Sequence, residues 1–370
     1  MPETAAPPTP LEIAENLRQR VIGQEEAVRE MSVALAKHLA GLATGNILMI
    51  GSSGTGKTTL MRAVESFLEG RPELAERSTV VRLHANVLAE EARRGRPGQA
   101  VLDRLLERAR EKLGPAEVER RGVGAVLERA ATGLVFVDEV DKIRSHVGGS
   151  PNVEGIRSQE ALLTLIENEA VPVELPDWAG GATTTFDSSA LLFVCAGAFE
   201  GLWDAVYDRV TIGRDRGSLQ PVTVVESGEV HQRQEFALRN WLRHEDLFDY
   251  GLTPQFLSRF DAVVMLEDLS VDDLVRIFLE SPDSGFRQSR AFFESRGLRL
   301  TLSPAAVRRI AIEAARHPRL GARALREVFR RVVRDREYDP QAGAGSAGSE
   351  GAILIDEAEI EAALERGSRP

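Results

Sequence analysis

Asn46-Ile47-Leu48-Met49-Ile50-Gly51-Ser52-Ser53-Gly54-Thr55-Gly56-Lys57-Thr58-Thr59-Leu60-Met61-Arg62-Ala63-Val64-Glu65-Ser66-Phe67-Leu68 is the stretch whose reading decides the fold. Ile47 to Ile50 form an unbroken apolar run suited to a strand buried on both faces, and Leu60, Val64, Phe67 and Leu68 recur at helical spacing. Between them, Gly51, Gly54 and Gly56 let the backbone turn with its N–H groups inward, which is the P-loop pattern. Lys57 can then reach the β- and γ-phosphates and the Thr58 hydroxyl can bind Mg²⁺. The helix starts where its N-terminal partial charge favours the phosphates. Ser53, Thr55 and Thr59 complete the candidate nucleotide-binding set. A glycine-rich turn matching by accident is the alternative, and the strand, loop, helix order argues against it.

Composition narrows the rest. A chain of 370 residues, 43% hydrophobic and 28% charged, has the length for two or three domains and the balance of a soluble globular protein. Its net charge of −11 argues against a general polyanion binder, so nucleic acid is not an expected partner. Cys195 is the single cysteine, which excludes an internal disulfide and a cysteine-built zinc site. The six histidines show neither HxxxH nor HExxH spacing, so the only metal expected is Mg²⁺ on the nucleotide. No apolar run approaches the roughly 18 residues of a membrane span, and the N-terminus lacks a basic-then-apolar signal. A cytoplasmic protein without a membrane partner is expected.

Along the chain, residues 1–10 are proline-rich and poor in bulky apolar groups, so a disordered tail is expected. Leu11 to Arg20 and Glu25 to Leu42 read as helices, Thr79 to Leu83 as a strand, and Gln99 to Leu113 as a helix. Arg93-Arg94-Gly95-Arg96-Pro97-Gly98 reads as a loop. Leu134 to Val137 is a second fully apolar strand, followed by Asp138-Glu139-Val140-Asp141. Carboxylates there fall at the sheet edge where ligands of parallel sheets bind. Asp138 can hold Mg²⁺ through water, and Glu139 can orient or deprotonate an attacking water; a solvated strand end is the alternative. Leu191 to Val194 offers a third buried strand, and Gly213 to Gln234 reads as a long surface loop. From Ser270 the pattern turns helical, over Val271–Leu279, Gly285–Ser295, Ser303–Arg316 and Gly321–Tyr338, before a strand at Ala352–Ile355 and a last helix. The expectation is a large α/β domain over residues 11–266 and a small, mostly helical domain over residues 267–367.

These motifs together resemble the AAA+ ATPases of the Clp/HslU branch, and ClpX-like members in particular, over residues 11–366. The resemblance implies an AAA+ P-loop NTPase of α/β class, with a parallel-sheet large domain and a helical small domain. It also implies ATP hydrolysis to ADP and phosphate with ATP and Mg²⁺, and a homohexameric ring acting on a protein substrate or adaptor. Val21-Ile22-Gly23-Gln24 is similar to the family segment against adenine, which nominates Val21 and Ile22. Val135 to Ile143 is similar to the Walker B stretch. Gly251-Leu252-Thr253-Pro254-Gln255-Phe256-Leu257-Ser258-Arg259-Phe260 resembles the segment ending in an arginine finger, which implies Arg259 at a neighbour's γ-phosphate. Gly321 to Arg326 resembles the sensor-2 motif, which implies Arg323 at the nucleotide. For either arginine, an exposed surface charge is the alternative.

The chain also departs from the family. Cys195 to Gly197, where a polar sensor-1 residue should fall, has none, and Cys195 reads as a buried thiol. The N-terminal zinc domain of ClpX is not expected in these 370 residues, whose length and single cysteine do not allow it. The aromatic pore loop aligns with Gly95-Arg96-Pro97-Gly98, and the peptidase-docking phenylalanine is missing from Ile212-Gly213-Arg214. Leu175 to Gly181 stands in place of the basic substrate loop. The resemblance therefore supports the ATPase and does not extend to ClpP docking. An ATP-driven chaperone or remodeller is the leading expectation. A nucleotide-dependent switch or assembly platform that never translocates is the second. A nucleic-acid motor is the third, with Arg93, Arg94 and Arg96 as its only basic cluster.

Overall fold

The computed structural model describes residues 6–93, 98–167, 170–212, 221–226, 229–234, 236–340 and 352–367. Five strands make the central sheet: β1 Asn46–Ile50, β2 Val80–His84, β3 Leu134–Asp138, β4 Leu192–Gly197 and β5 Phe260–Met265. Their order is β5-β1-β4-β3-β2, with every neighbouring pair parallel. Parallel strands need crossovers that cover both faces, so the inner strands are apolar apart from Asn46 and Asp138 at their ends, and β4 is buried at every residue. The edge strand β2 instead buries Val80, Val81 and Leu83 and exposes Arg82 and His84. Ile50 lies opposite Gly197, and Val137 opposite Cys195. Ile50, Gly197 and Asp138 therefore end three adjacent strands at one edge of the sheet. At the other end, Asn46 accepts from the Phe193 N–H at 3.0 Å and donates to the Arg259 carbonyl at 3.1 Å, tying the starts of β4 and β5 to β1.

The contacts divide the chain into two compact units. Met1–Ile13, Arg29–Ile50 and Val64–Met265 form the first. Its core packs the sheet with helix Gln99–Leu113, whose Val101, Leu102, Leu105, Leu106 and Ala109 are all buried, as their helical spacing requires. Buried His38 is a polar inclusion in this unit, with Nε2 donating to the Thr132 carbonyl at 3.1 Å. Burial, aided by Arg77, pushes its pKa down from 6.5 to about 4. A depressed folded-state pKa contributes stability that is complete above pH 6.5 and lost as pH falls toward 4. The amount is at most about 3 kcal/mol. Urea unfolding at pH 7 and pH 4.5 should show this loss in the parent and a shallower one in His38→Gln. Equal losses in both proteins would dismiss His38 as the cause.

Ala14–Val28, Gly51–Ala63 and Leu266–Pro370 form the second unit. Its helices Val271–Glu280, Gly285–Glu294, Pro304–Ala315 and Arg323–Tyr338 pack around Phe278, Phe293 and Phe329. Phe278 meets Phe329 edge-on with ring centroids 5.1 Å apart. Ser303 caps its helix by accepting the Ala306 N–H at 3.2 Å, with Pro304 at the first helical position. Strand Ala352–Ile355 pairs in parallel with Arg299–Leu302.

Two features differ from the sequence reading. Residues 221–226 and 229–234 form an antiparallel hairpin, not a surface loop. Val222, Thr223, Val224 and Val225 are β-branched, and that local preference outweighs the polar residues around them. Strand β5 is an additional element, hidden because Asp261 interrupts its apolar run. Leu175 to Gly181 lies in a connection between strands Val171–Glu174 and Thr183–Phe186, where Arg110 stacks on Trp178. Arg94, Gly95, Arg96 and Pro97 lie outside the described residues, as do Gly213 and Arg214 and the first five residues of the tail. Among the described residues, no helix is long and apolar enough to cross a membrane.

Candidate nucleotide-binding and hydrolysis site

The chain leaves β1 at Ile50 and re-enters helix at Lys57. The first helical bond runs from the Leu60 N–H to the Gly56 carbonyl at 2.9 Å, so the N–H groups of Thr58 and Thr59 have no acceptor within the helix. Gly54 and Gly56 turn the loop at φ of 77° and 113°, conformations that L-residues rarely adopt. A Cβ on Gly54 would also sit 2.1 Å from the Leu320 carbonyl oxygen. That close approach brings the segment before Arg323 onto the loop: the Ala322 N–H donates to the Gly54 carbonyl at 3.1 Å, and Arg323 donates to Ser53 Oγ at 2.8 Å.

Lys57 is buried and donates its ammonium to the carbonyls of Gly51 and Ser52. Thr55 is also buried, and its hydroxyl donates to the Ser52 carbonyl at 2.9 Å, which commits it to holding the loop's shape. Thr58 and Thr59 are exposed, so the Thr58 hydroxyl is open to a metal ligand. Open N–H groups, an ammonium, a guanidinium and a free hydroxyl constitute a donor set that fits a polyphosphate carrying Mg²⁺.

Gln24 was not singled out by sequence, yet it fixes this arrangement. Its Nε2 donates to the carbonyls of Thr55 at 2.9 Å and Glu267 at 2.8 Å, while its Oε1 accepts the Glu267 N–H at 3.0 Å. The buried Val21 and Ile22 are thereby carried in a segment pinned to the loop. Asp268 follows closely, hydrogen-bonded to Ser52, and burial pushes its carboxyl above the usual range against that bond. A glutamine in the short connection before the helix at Glu25 carries no signal until its partner Glu267, far away in sequence, is known.

In the other unit, Asp138 ends β3 and Glu139 follows in the left-handed region, at φ 60° and ψ 36°. For a residue with a side chain this costs about 1 kcal/mol or more, a strain typical of functional sites. Asp138 Oδ1 accepts the Glu139 N–H at 2.9 Å. The Glu139 carboxylate lies 3.7 Å from His84 Nδ1, which ends β2 in register with Asp138. His84 is the second residue missed, since a lone polar residue on an edge strand reads as a solvated position until strand order is known. Asp141 is buried, accepts the Ala198 N–H at 3.1 Å, and latches the turn after β3 to the end of β4. A Cβ on Gly197 would sit 2.6 Å from its Oδ1, which explains a glycine where a polar side chain was sought. Cys195 is fully buried and its thiol pKa is pushed up by burial, matching the unreactive thiol expected.

Arg259 closes a segment built on buried Gln159, which accepts the Thr253 N–H at 2.8 Å and donates to the carbonyls of Ile143 and Gly251. Its Nε donates to Glu167. Arg93 is paired with Glu154 at 3.4 Å. One unit thus brings together Val21, Ile22, the 51–58 loop and Arg323, and the other holds Asp138, Glu139 and, in a separate segment, Arg259.

Comparison with known proteins adds an independent finding. Residues 42–263 match the family described as AAA domain (Cdc48 subfamily). The chain is 33% identical over 354 residues to the ATP-dependent Clp protease ATP-binding subunit ClpX 3 of Methylococcus capsulatus, covering 88% of this chain and 75% of that protein. It is 28% identical over 357 residues to the ClpX subunit of Azotobacter vinelandii, covering 90% and 74%. With the ClpX subunit of Porphyromonas gingivalis it shares 29% identity over 380 residues, covering 96% and 82%.

Proposed function

Since this chain belongs to the AAA domain family and is a ClpX-like AAA+ ATPase, we propose that it assembles into a homohexameric ring that remodels protein substrates with ATP and Mg²⁺. The observation that carries the reading is the convergence of the Thr58 and Thr59 N–H groups, the Lys57 ammonium and the Arg323 guanidinium at one loop and helix start. The proposal divides the work among named residues. Gly51, Ser53, Gly54, Thr55, Gly56 and Thr59 cradle phosphate through the backbone, and Lys57 exchanges its loop carbonyls for β- and γ-oxygens. Thr58 and Asp138 hold Mg²⁺, which when bound neutralises charge developing on the phosphates. Glu139 orients or deprotonates the attacking water, and Val21 and Ile22 lie against the base. Arg323 senses the nucleotide from the small domain, residues 267–367, and Arg259 is supplied by a neighbour's large domain, residues 11–266.

Handling of substrate is where this chain is proposed to part from its relatives. A loop that moves arbitrary polypeptide needs a bulky apolar side chain, because apolar contact is non-directional. The aligned sequence Gly95-Arg96-Pro97-Gly98 offers a hydrated charge in place of that side chain. This same feature favours a second reading, a nucleotide-dependent platform that does not translocate. A fluorescent, stably folded, tagged reporter supplied with ATP and ClpP should stay bright and intact, while unfolded protein should stimulate ATP turnover. Rapid loss of fluorescence with fragmentation would overturn the restriction on substrate. No stimulation by unfolded protein would favour the platform.

A further inference from the structure

Arg259 does not hang free from the segment that carries it. Its main chain is fixed by the Asn46 side chain on its carbonyl and by its own N–H, which donates to the Phe256 carbonyl at 3.2 Å. Its side chain, about half exposed, donates through Nε to the Glu167 carboxylate, and the terminal nitrogens Nη1 and Nη2 have no hydrogen bond to the described residues. A carboxylate on Nε fixes the plane of a guanidinium and leaves the two terminal nitrogens as a fork for a second anion.

Glu167 is well placed to set that plane, because it ends helix Val153–Glu167, which also carries Gln159. Gln159 binds the Gly251 carbonyl and the Thr253 N–H, at the beginning of the arginine segment. Glu167 binds Arg259, at the end of it. The two residues lie roughly two helical turns apart, about 12 Å along the axis. One helix thus holds the whole segment in register at both ends, through the backbone at Gln159 and through the guanidinium at Glu167. Nothing in the folding of the first unit demands this second contact, since Glu167 lies outside the buried core.

We infer that Glu167 is a positioning residue for Arg259, aiming its free nitrogens outward toward a phosphate held by a neighbouring copy. This rests on the reading of Arg259 as an arginine acting in trans. The carboxylate lowers the local positive potential, so its contribution is orientation and not attraction; misplacing a reacting group by 1 Å can cost about 100-fold.

The test measures steady-state ATP turnover, nucleotide affinity and melting temperature on assembled protein. Glu167→Ala should lower kcat roughly 10- to 100-fold, with nucleotide affinity and melting temperature close to the parent's. Glu167→Gln keeps an oxygen that can accept from Nε and should recover most of that loss. The double variant Glu167→Ala with Arg259→Ala should be no slower than Arg259→Ala alone, as expected when one residue acts only through the other. Parent-like turnover in Glu167→Ala beside a slow Arg259→Ala would overturn the positioning role alone. So would full additivity in the double variant. Parent-like turnover in Arg259→Ala would overturn the trans-arginine reading, and the inference with it.

Discussion

Glu139→Gln should bind ATP as the parent does and cleave it at least about 100-fold more slowly, whereas Lys57→Ala should fail at binding. The difference follows from what each side chain touches. Glutamine keeps the size of glutamate, and the Glu139 N–H bond to Asp138 Oδ1 that shapes the turn is a main-chain bond, so the geometry of the strand end survives. What is lost is the carboxylate's ability to take a proton from water, along with its charge beside His84. Lys57 is different, because its buried ammonium holds the carbonyls of Gly51 and Ser52 together before any phosphate arrives. Alanine there removes both the loop's internal tie and the charge that neutralises the phosphates. Equilibrium binding of a fluorescent nucleotide, followed by single-turnover cleavage, separates the two effects. Equal ATP turnover in Glu139→Gln and the parent would sink the assignment of Glu139.

The parts legible in sequence were those whose physics is local. The apolar run Ile47–Ile50, the glycines and Lys57 are contiguous, so strand, loop and helix could be placed from their order alone. Helix Gln99–Leu113 kept its expected bounds, because its buried stripe is regular and glycine flanks both ends. Ser303 and Pro304 announced a helix start through chemistry that needs no tertiary partner. The missed parts depend on partners far away in sequence. Gln24 matters because Glu267, more than two hundred residues later, offers it both a donor and an acceptor. His84 meets Glu139 only because β2 pairs with β3 in parallel at that register. The hairpin at 221–226 and 229–234 was lost for another reason, since a reading weighted by polarity overlooks short β-branched runs in a charged setting.

Arg259→Ala should leave ATP affinity near the parent's and lower turnover steeply, because the residue it removes is proposed to act on a nucleotide bound by another copy. Within its own chain the guanidinium donates through Nε to Glu167, which leaves its terminal nitrogens for an anion from elsewhere, and its carbonyl is tied to Asn46 at the start of β1. An arginine supplied in trans is worth about 10³ to 10⁵ in rate where GTPase activators provide it, and the low end of that range or less is expected here. Mixing gives the sharper check. Arg259→Ala subunits retain an intact Walker B stretch, and Glu139→Gln subunits retain an intact arginine, so neither variant alone should turn over. A mixed ring places a working arginine beside a working Glu139 at some interfaces, and turnover should reappear with a maximum at intermediate ratios. A mixture no more active than its parts would remove the argument for catalysis across the interface, as would parent turnover per subunit that stays constant on dilution to monomer.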